Sequence, residues 1–333
     1  METIFQVQTL PIIREATDNE KWSDAFSLWL SSKAGNTRRA YEAAWEQLLD
    51  FTGKMPWQMG SADVEAWVAE LRKHYSESTV QQRLAAVSSF FSYARLQYMD
   101  IVDGVEMPLH RYNPAKTVNR PKVQPYGRAH PLTIEDVRSL LDAVDRSTPL
   151  GLRDYALILA FVLTGRRNSE IRNLRWGDLE QRDDRIWYHW QGKGGTSGRY
   201  ELPAAVYHAI AAWLTAAGRL DGIHQDDYIF TPLSDHAIRF PGVDHDPGRP
   251  LSSRYIRDLV KKYARRAGLD ADLIRVHDLR HTAAMLRAEA GDDVRSISSF
   301  LGHADLRTTS RYLYRVGGRK DESWGRVCEM LSI

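Results

Sequence analysis

Thr164-Gly-Arg-Arg-Asn-Ser-Glu170 lies between two helical patterns, Leu152 to Leu163 and Ser169 to Leu174, and sets two arginines beside a glycine and one carboxylate. An arginine near a helix end is ordinarily solvated, but here Gly165 and Glu170 offer a way to hold Arg167 inward. Upstream, a helix is predicted to begin at Thr133, with Asp136 in the capping-box position and Val137, Leu140, Leu141 and Val144 on one face. Downstream, Arg185-Ile-Trp-Tyr-His-Trp-Gln191 alternates and meets the glycines of 192–198. The chain resumes at Arg199-Tyr-Glu-Leu202, which predicts a β-hairpin. Helical patterns return over Ala204 to Ala217 and Ser253 to Arg266, the second ended by Gly268, with Tyr228-Ile-Phe230 as a short strand between them. The expected fold is mainly α with a small β-hairpin or sheet.

The stretch from Lys21 to Leu96 is helical throughout. Trp22, Phe26 and Leu30 recur at spacings of four, Tyr41, Trp45 and Leu48 repeat the pattern, and Gly53 stops it. A third helix from Ser61 carries Val64, Trp67, Val68 and Leu71, and a fourth carries Val80, Leu84, Val87 and Phe91. Between Met107 and His130, Pro108, Pro114, Pro121 and Pro125 resist helix, while Arg111, Lys116, Arg120, Lys122 and Arg128 face no acid, so an extended basic linker is expected. The predicted division is a tail over 1–20, a helical domain over 21–112, a linker over 113–130, a mixed α+β domain over 131–315 and a tail over 316–333. In that last tail Trp324, Val327, Cys328 and Leu331 line one side of a candidate amphipathic helix.

An apolar fraction of 43% with 26% charged residues fits a globular chain and leaves little room for disorder. The net charge of +2 does not by itself announce a nucleic-acid partner, so local distribution must decide. Cys328 is the only cysteine, which excludes an intramolecular disulfide and a multi-cysteine zinc site. No run is long and apolar enough to span a bilayer and no secretory leader is visible, so a cytoplasmic location and no membrane partner are the expectation. The insertion over 234–250 holds His236, Asp244, His245 and Asp246, which can ligate a metal but have no helical or strand spacing to converge them.

Chemistry is carried by a dispersed set. Lys193 stands in the glycine turn, where a solvated tip and a reach into substrate are both open. His277 and Arg280 are three apart, so on a helix they share one face. His303 follows Leu301-Gly302, and Tyr312 is one of fifteen tyrosines. Individually each has a bland explanation as a cap, a surface cation or a half-buried ring. Together, arginines, a lysine and histidines without an accompanying acid cluster for Mg²⁺ suit an anionic phosphodiester.

Thr164-Gly-Arg-Arg-Asn-Ser-Glu170, Gly192-Lys-Gly194, His277-Asp-Leu-Arg-His-Thr282, Leu301-Gly-His303 and Tyr312, in this order and spacing, resemble the tyrosine recombinase (phage-type integrase) family, in its simple two-domain, Xer-like form. The resemblance spans Thr133 to Tyr312, and the amino-terminal bundle resembles that family's SAM-like core-binding domain. It implies that Tyr312 attacks the scissile phosphate, that Arg167 and Arg280 grip its non-bridging oxygens and that His303 adds a hydrogen bond. It also implies that His277 assists proton transfer, that Lys193 protonates the departing 5′-oxygen and that Glu170 orients Arg167. No cofactor, metal or ATP is implied. The implied partners are double-stranded DNA with inverted-repeat core sites and further copies of the chain, as a tetramer on DNA. The implied outcome is integration, excision or resolution, with a type IB topoisomerase as the alternative.

Two features depart from the pattern. Arg166 stands where the family commonly has an apolar residue, and Tyr314 is a second tyrosine close to the first. Tyr312 is favoured because its nine-residue interval from His303 fits the family. For groove insertion the candidate helices are Ser78 to Leu96 and Ser253 to Arg266, the second bearing Lys261, Lys262, Arg265 and Arg266.

Overall fold

The aromatic spacing of the amino-terminal third becomes four helices in the computed structural model of the chain: α1 (Asp18–Ser31), α2 (Gly35–Thr52), α3 (Ser61–His74) and α4 (Glu77–Leu96). The structure describes residues 18–102, 105–121, 129–191, 197–233, 248–302, 309–310 and 330. The amino-terminal tail, Lys193, the insertion residues His236, Asp244, His245 and Asp246, and His303, Tyr312 and Tyr314 lie outside the described residues. So do linker residues 122–128 and nearly all of the carboxy-terminal tail. The chain divides into two compact units, residues 1–125 and 126–333.

In the first unit Trp22, Trp29, Trp45, Trp67, Phe90 and Phe91 are buried, and Trp45 meets the Phe90 ring edge-on at 4.8 Å. Burial of side chains this large stabilises the bundle by about 1.5–3 kcal/mol each before entropy is charged against it. Gly53 ends α2 in the left-handed conformation that its sequence position predicts. Helix α4 is the hub of this core, burying eight residues from Val80 to Ala94. Its exposed residues are Glu77, Ser78, Gln82, Arg95 and Leu96.

The expected basic linker is different in the structure. Strands β1 (Met99–Val102) and β2 (Val105–Pro108) pair antiparallel, with Met99 opposite Pro108, and Lys21 ties this hairpin to α1 through Asp100 at 2.6 Å. Beyond it Ala115 and Val118 join the apolar core, and the Asn113 amide donates to the Ser88 carbonyl at 2.8 Å. Proline spacing excludes helix there, but it does not reveal that a few small apolar residues bind the segment to α4. As far as residue 121 it is part of the first unit.

The second unit is organised around α6 (Pro149–Thr164), which is buried on nearly all sides, as a helix so uniformly apolar should be. Before it comes α5 (Ile134–Asp142), whose Thr133 and Asp136 exchange the capping-box bonds expected of them. After it come α7 (Asn168–Arg172), a three-stranded antiparallel sheet of β3 (Leu179–Arg182), β4 (Arg185–Gln191) and β5 (Ser197–Leu202), then α8 (Ala204–Ala216), α9 (Ser253–Arg266), α10 (Val276–Glu289) and α11 (Val294–Leu301). The β4–β5 hairpin is the predicted one, in register Tyr188 to Tyr200 and Gln191 to Ser197. Strand β3 adds an edge that the alternation did not announce, because Leu179–Arg182 is too polar to alternate. Tyr228-Ile-Phe230 is not a strand: Tyr228 makes an isolated bridge to Arg175, and Ile229 and Phe230 are buried core residues.

Candidate active site

Helix α6 ends at Gly165, whose φ of +60° turns the chain sharply, and an added Cβ there would sit 2.8 Å from Phe300 Cε1. Only glycine allows both the turn and the approach of α11. Two residues later Arg167 caps α7. The Glu170 carboxylate, almost wholly buried, accepts from the Arg167 backbone N–H at 3.0 Å and from its Nη1 at 2.8 Å. One carboxylate thus starts the helix and orients the guanidinium, leaving the Arg167 side chain 40% exposed. That exposure matters: a phosphate can still reach it.

Helix α10 repeats the device. Arg275 caps it, and the fully buried Asp278 accepts from the Arg275 backbone N–H at 2.9 Å and from the His130 N–H at 3.2 Å. Thr282 accepts from Leu132 N–H at 2.9 Å, so α10 is bonded at two points to the chain leading into α5. From this helix project His277 and Arg280, one turn apart. Arg280 is 3% exposed, and its Nη1 and Nη2 donate to Gly165 O at 2.6 Å and Leu301 O at 2.7 Å. These bonds fix the guanidinium plane between the end of α6 and the end of α11.

His277 presents its ring at the surface, packed edge-to-face on His281 at 4.7 Å. Displaced hydration, then the Arg280 cation, hold its pKa below the usual imidazole value, with Arg275 and Arg167 acting in the same sense and Asp278 against them. A neutral imidazole at pH 7 is one able to take a proton. The buried His281 is pushed further, to about 4, first by loss of hydration and then by His277.

Among the described residues the structure therefore brings Arg167, Glu170, His277 and Arg280 into one neighbourhood of the second unit. Lys193 follows Gln191 of β4 by two positions, and His303 follows the α11 cap Gly302 by one. Arg166, noted in the sequence only as a departure, proves to be buried and bonded to Phe300 O. The tyrosines and tryptophans of β4 and β5 gave the one available signal, since an arginine among so many rings is a candidate for cation–π contact.

Residues 131–315 match the model of the phage integrase family, and residues 20–97 match that of the phage integrase N-terminal SAM-like domain. The chain belongs to the phage integrase family. Relatives include the tyrosine recombinase XerC of Xylella fastidiosa, 30% identical and covering 76% of each chain, and that of Thermodesulfovibrio yellowstonii, 29% identical and covering 84% of this chain and 86% of its own. Among solved structures, XerH bound to its palindromic difH substrate superposes with a TM-score of 0.65 over 89% of this chain and 79% of its own, at 19% identity. A lambda integrase tetramer on a Holliday junction gives 0.65 over 90% and 78%, at 16% identity. At such identities the likeness is one of fold. The integrase is accordingly a tyrosine site-specific recombinase, mainly α with small antiparallel sheets, and the topoisomerase alternative is not favoured.

Proposed function

We propose that this integrase cuts each DNA strand by attack of the Tyr312 hydroxyl on the scissile phosphate. The Tyr312 Oη–P bond forms, the P–O5′ bond breaks, the tyrosyl proton passes to His277, and Lys193 supplies a proton to the departing 5′-oxygen. The products are a 3′-phosphotyrosine and a 5′-hydroxyl. Reversal by the 5′-hydroxyl of another strand rejoins the backbone with no external energy source. Phenol is a poor nucleophile at neutral pH, its pKa being about 10, so cations around the phosphate and a neutral base are what the step requires. The observation that carries the proposal is the arrangement of Arg167 and Arg280, two guanidinium groups fixed by Glu170 and by two backbone carbonyls beside a neutral His277.

Residues 21–112, together with the segment to 121 that packs on them, serve in this account as the core-binding domain, the rest of 113–130 as the connection and 131–315 as the catalytic domain. The partner is double-stranded DNA with inverted-repeat core sites, engaged by four copies in the cytoplasm. Among the described residues no helix is long and apolar enough to cross a membrane. The lambda integrase tetramer on a Holliday junction supports the stoichiometry by analogy of fold. Helix α9 offers a basic surface with Arg254, Arg257 and Arg265 outward, although Asp258 and Asp272 pair with several of its cations. The test is a nicked duplex selected for adduct formation from a randomised-core library. A denaturation-resistant adduct that disappears in Tyr312→Phe supports the assignment; relaxation of supercoiled DNA without site preference would return the topoisomerase alternative.

A further inference from the structure

Arg166 is 1% exposed, and no part of the proposed chemistry uses it. A buried cation is expensive unless its surroundings answer it, so what surrounds it is informative. Its Nη2 donates to Phe300 O and its Nε to Thr164 O at 3.3 Å. Its guanidinium carbon lies 4.1 Å from the Tyr200 ring centroid on β5 and 5.5 Å from that of Trp190 on β4. The side chain therefore joins three elements: the turn after α6, the sheet and the last turn of α11.

That last turn is bonded in an unusual way. Carbonyls at a helix end lack intrahelical partners and carry the negative end of the helix dipole. In α11 three consecutive ones accept from side chains of three different elements. Ser299 O takes the Tyr200 hydroxyl at 2.7 Å as well as the Gly302 N–H at 2.9 Å, Phe300 O takes Arg166, and Leu301 O takes Arg280 at 2.7 Å. Gly302 then leaves the helix with φ +64°, and an added Cβ there would lie 3.7 Å from both Arg166 Nη1 and Trp190 Cζ2. Arg166 and Arg280 thus hold neighbouring carbonyls of one helix end, while Arg166 also packs on the two strands that flank residues 192–196.

We propose that Arg166 is a positioning residue for strand cleavage: it couples the end of α11, from which His303 follows, to strands β4 and β5, which flank Lys193, and keeps both groups in step with Arg167 and Arg280. The inference rests on the proposed role of Lys193 and on the hydrogen bond to the phosphate that the family resemblance implies for His303. An apolar residue at this position would fill space but would release Phe300 O and remove the cation from the rings. The link between the last turn of α11 and strands β4 and β5 would then loosen.

The experiment compares single-turnover cleavage of two versions of the selected nicked duplex, one with a normal 5′-oxygen leaving group and one with a 5′-thiol, which leaves without a proton. The full chain is used as wild type, Lys193→Ala, Arg166→Met, Arg166→Lys and Tyr200→Phe. Arg166→Met is expected to slow the oxygen substrate by about tenfold or more and the thiol substrate by much less, with Arg166→Lys recovering part of the loss and wild-type duplex binding throughout. Tyr200→Phe, which removes only the hydroxyl to Ser299 O, is expected to shift the same ratio in the same direction and decides the matter if Arg166→Met does not fold. Equal slowing on both substrates, or no slowing, overturns the role of Arg166. Absence of any adduct in wild type, or an unchanged ratio in Lys193→Ala, instead overturns the underlying mechanism.

Discussion

Lowering the pH from 7 to 5 is expected to weaken the second unit through His281. This ring is buried, and its pKa is about 4 in the folded protein against 6.5 for a free imidazole, because it has lost hydration and faces His277, Arg275 and Arg280, with Asp278 only partly offsetting them. A depressed histidine pKa means that between these two values the unfolded chain binds a proton that the folded protein does not. Stability is then lost as pH falls through that window. At pH 5 the difference in proton binding amounts to about 2 kcal/mol for this single group. His277, depressed for related reasons, adds to the loss in the same direction. The variant His281→Gln cannot titrate and isolates the contribution. Urea unfolding of wild type and variant at pH 7 and pH 5 is the assay, and wild type should lose about 2 kcal/mol more than the variant on acidification. Equal losses would refute the argument that this buried ring stays neutral at the cost of acid stability.

Replacing Glu170 by alanine removes two hydrogen bonds to Arg167 from a carboxylate that is 2% exposed. A loss of about 1–2 kcal/mol in urea unfolding is expected, with adduct formation slowed by about tenfold or more and Glu170→Gln recovering much of the stability; unchanged cleavage would contradict the orienting role. Gly165→Ala forces a Cβ to 2.8 Å from Phe300 at a φ of +60°, so a destabilisation of about 2–4 kcal/mol is expected from backbone strain and overpacking together, and a wild-type thermal midpoint would contradict it. Because the His277 pKa lies below its usual value, single-turnover cleavage should decline on acidification with its midpoint below the ordinary imidazole value of about 6.5; a decline centred above that value would show that the group titrating is not this neutral imidazole.

Helices α1 to α9 were legible in the sequence because their apolar spacing is helical and their ends carry local signals, as Gly53, Thr133 with Asp136, and Ser253 to Arg266 show, whereas α10 and α11 were not predicted as elements. What escaped was set by distant contacts. Strand β3 exists because β4 pairs with it, not because of its own pattern. The segment after β2 is held by Asn113, Ala115 and Val118 against the bundle, where only its prolines and cations were conspicuous. At the site, residue types and order pointed to Arg167, His277 and Arg280, and the backbone explains why they converge: Gly165 lets α11 approach, and Arg280 bridges Gly165 O to Leu301 O. Arg166 showed in the sequence only as a departure from the family's apolar residue, since only the folded chain brings Tyr200, Trp190 and Phe300 O around it.

The central claim, that Tyr312 forms the covalent link to DNA, is tested most directly by locating that link. The adduct trapped on the nicked duplex is digested with nuclease and protease, and the nucleotide-bearing peptide is sequenced by fragmentation mass spectrometry. Peptide 312–315 carries both candidate tyrosines after cleavage at Arg311 and Arg315. The account predicts the phosphodiester on Tyr312, with Tyr314→Phe forming adduct as wild type does. A link on Tyr314, or on any other residue, would contradict it.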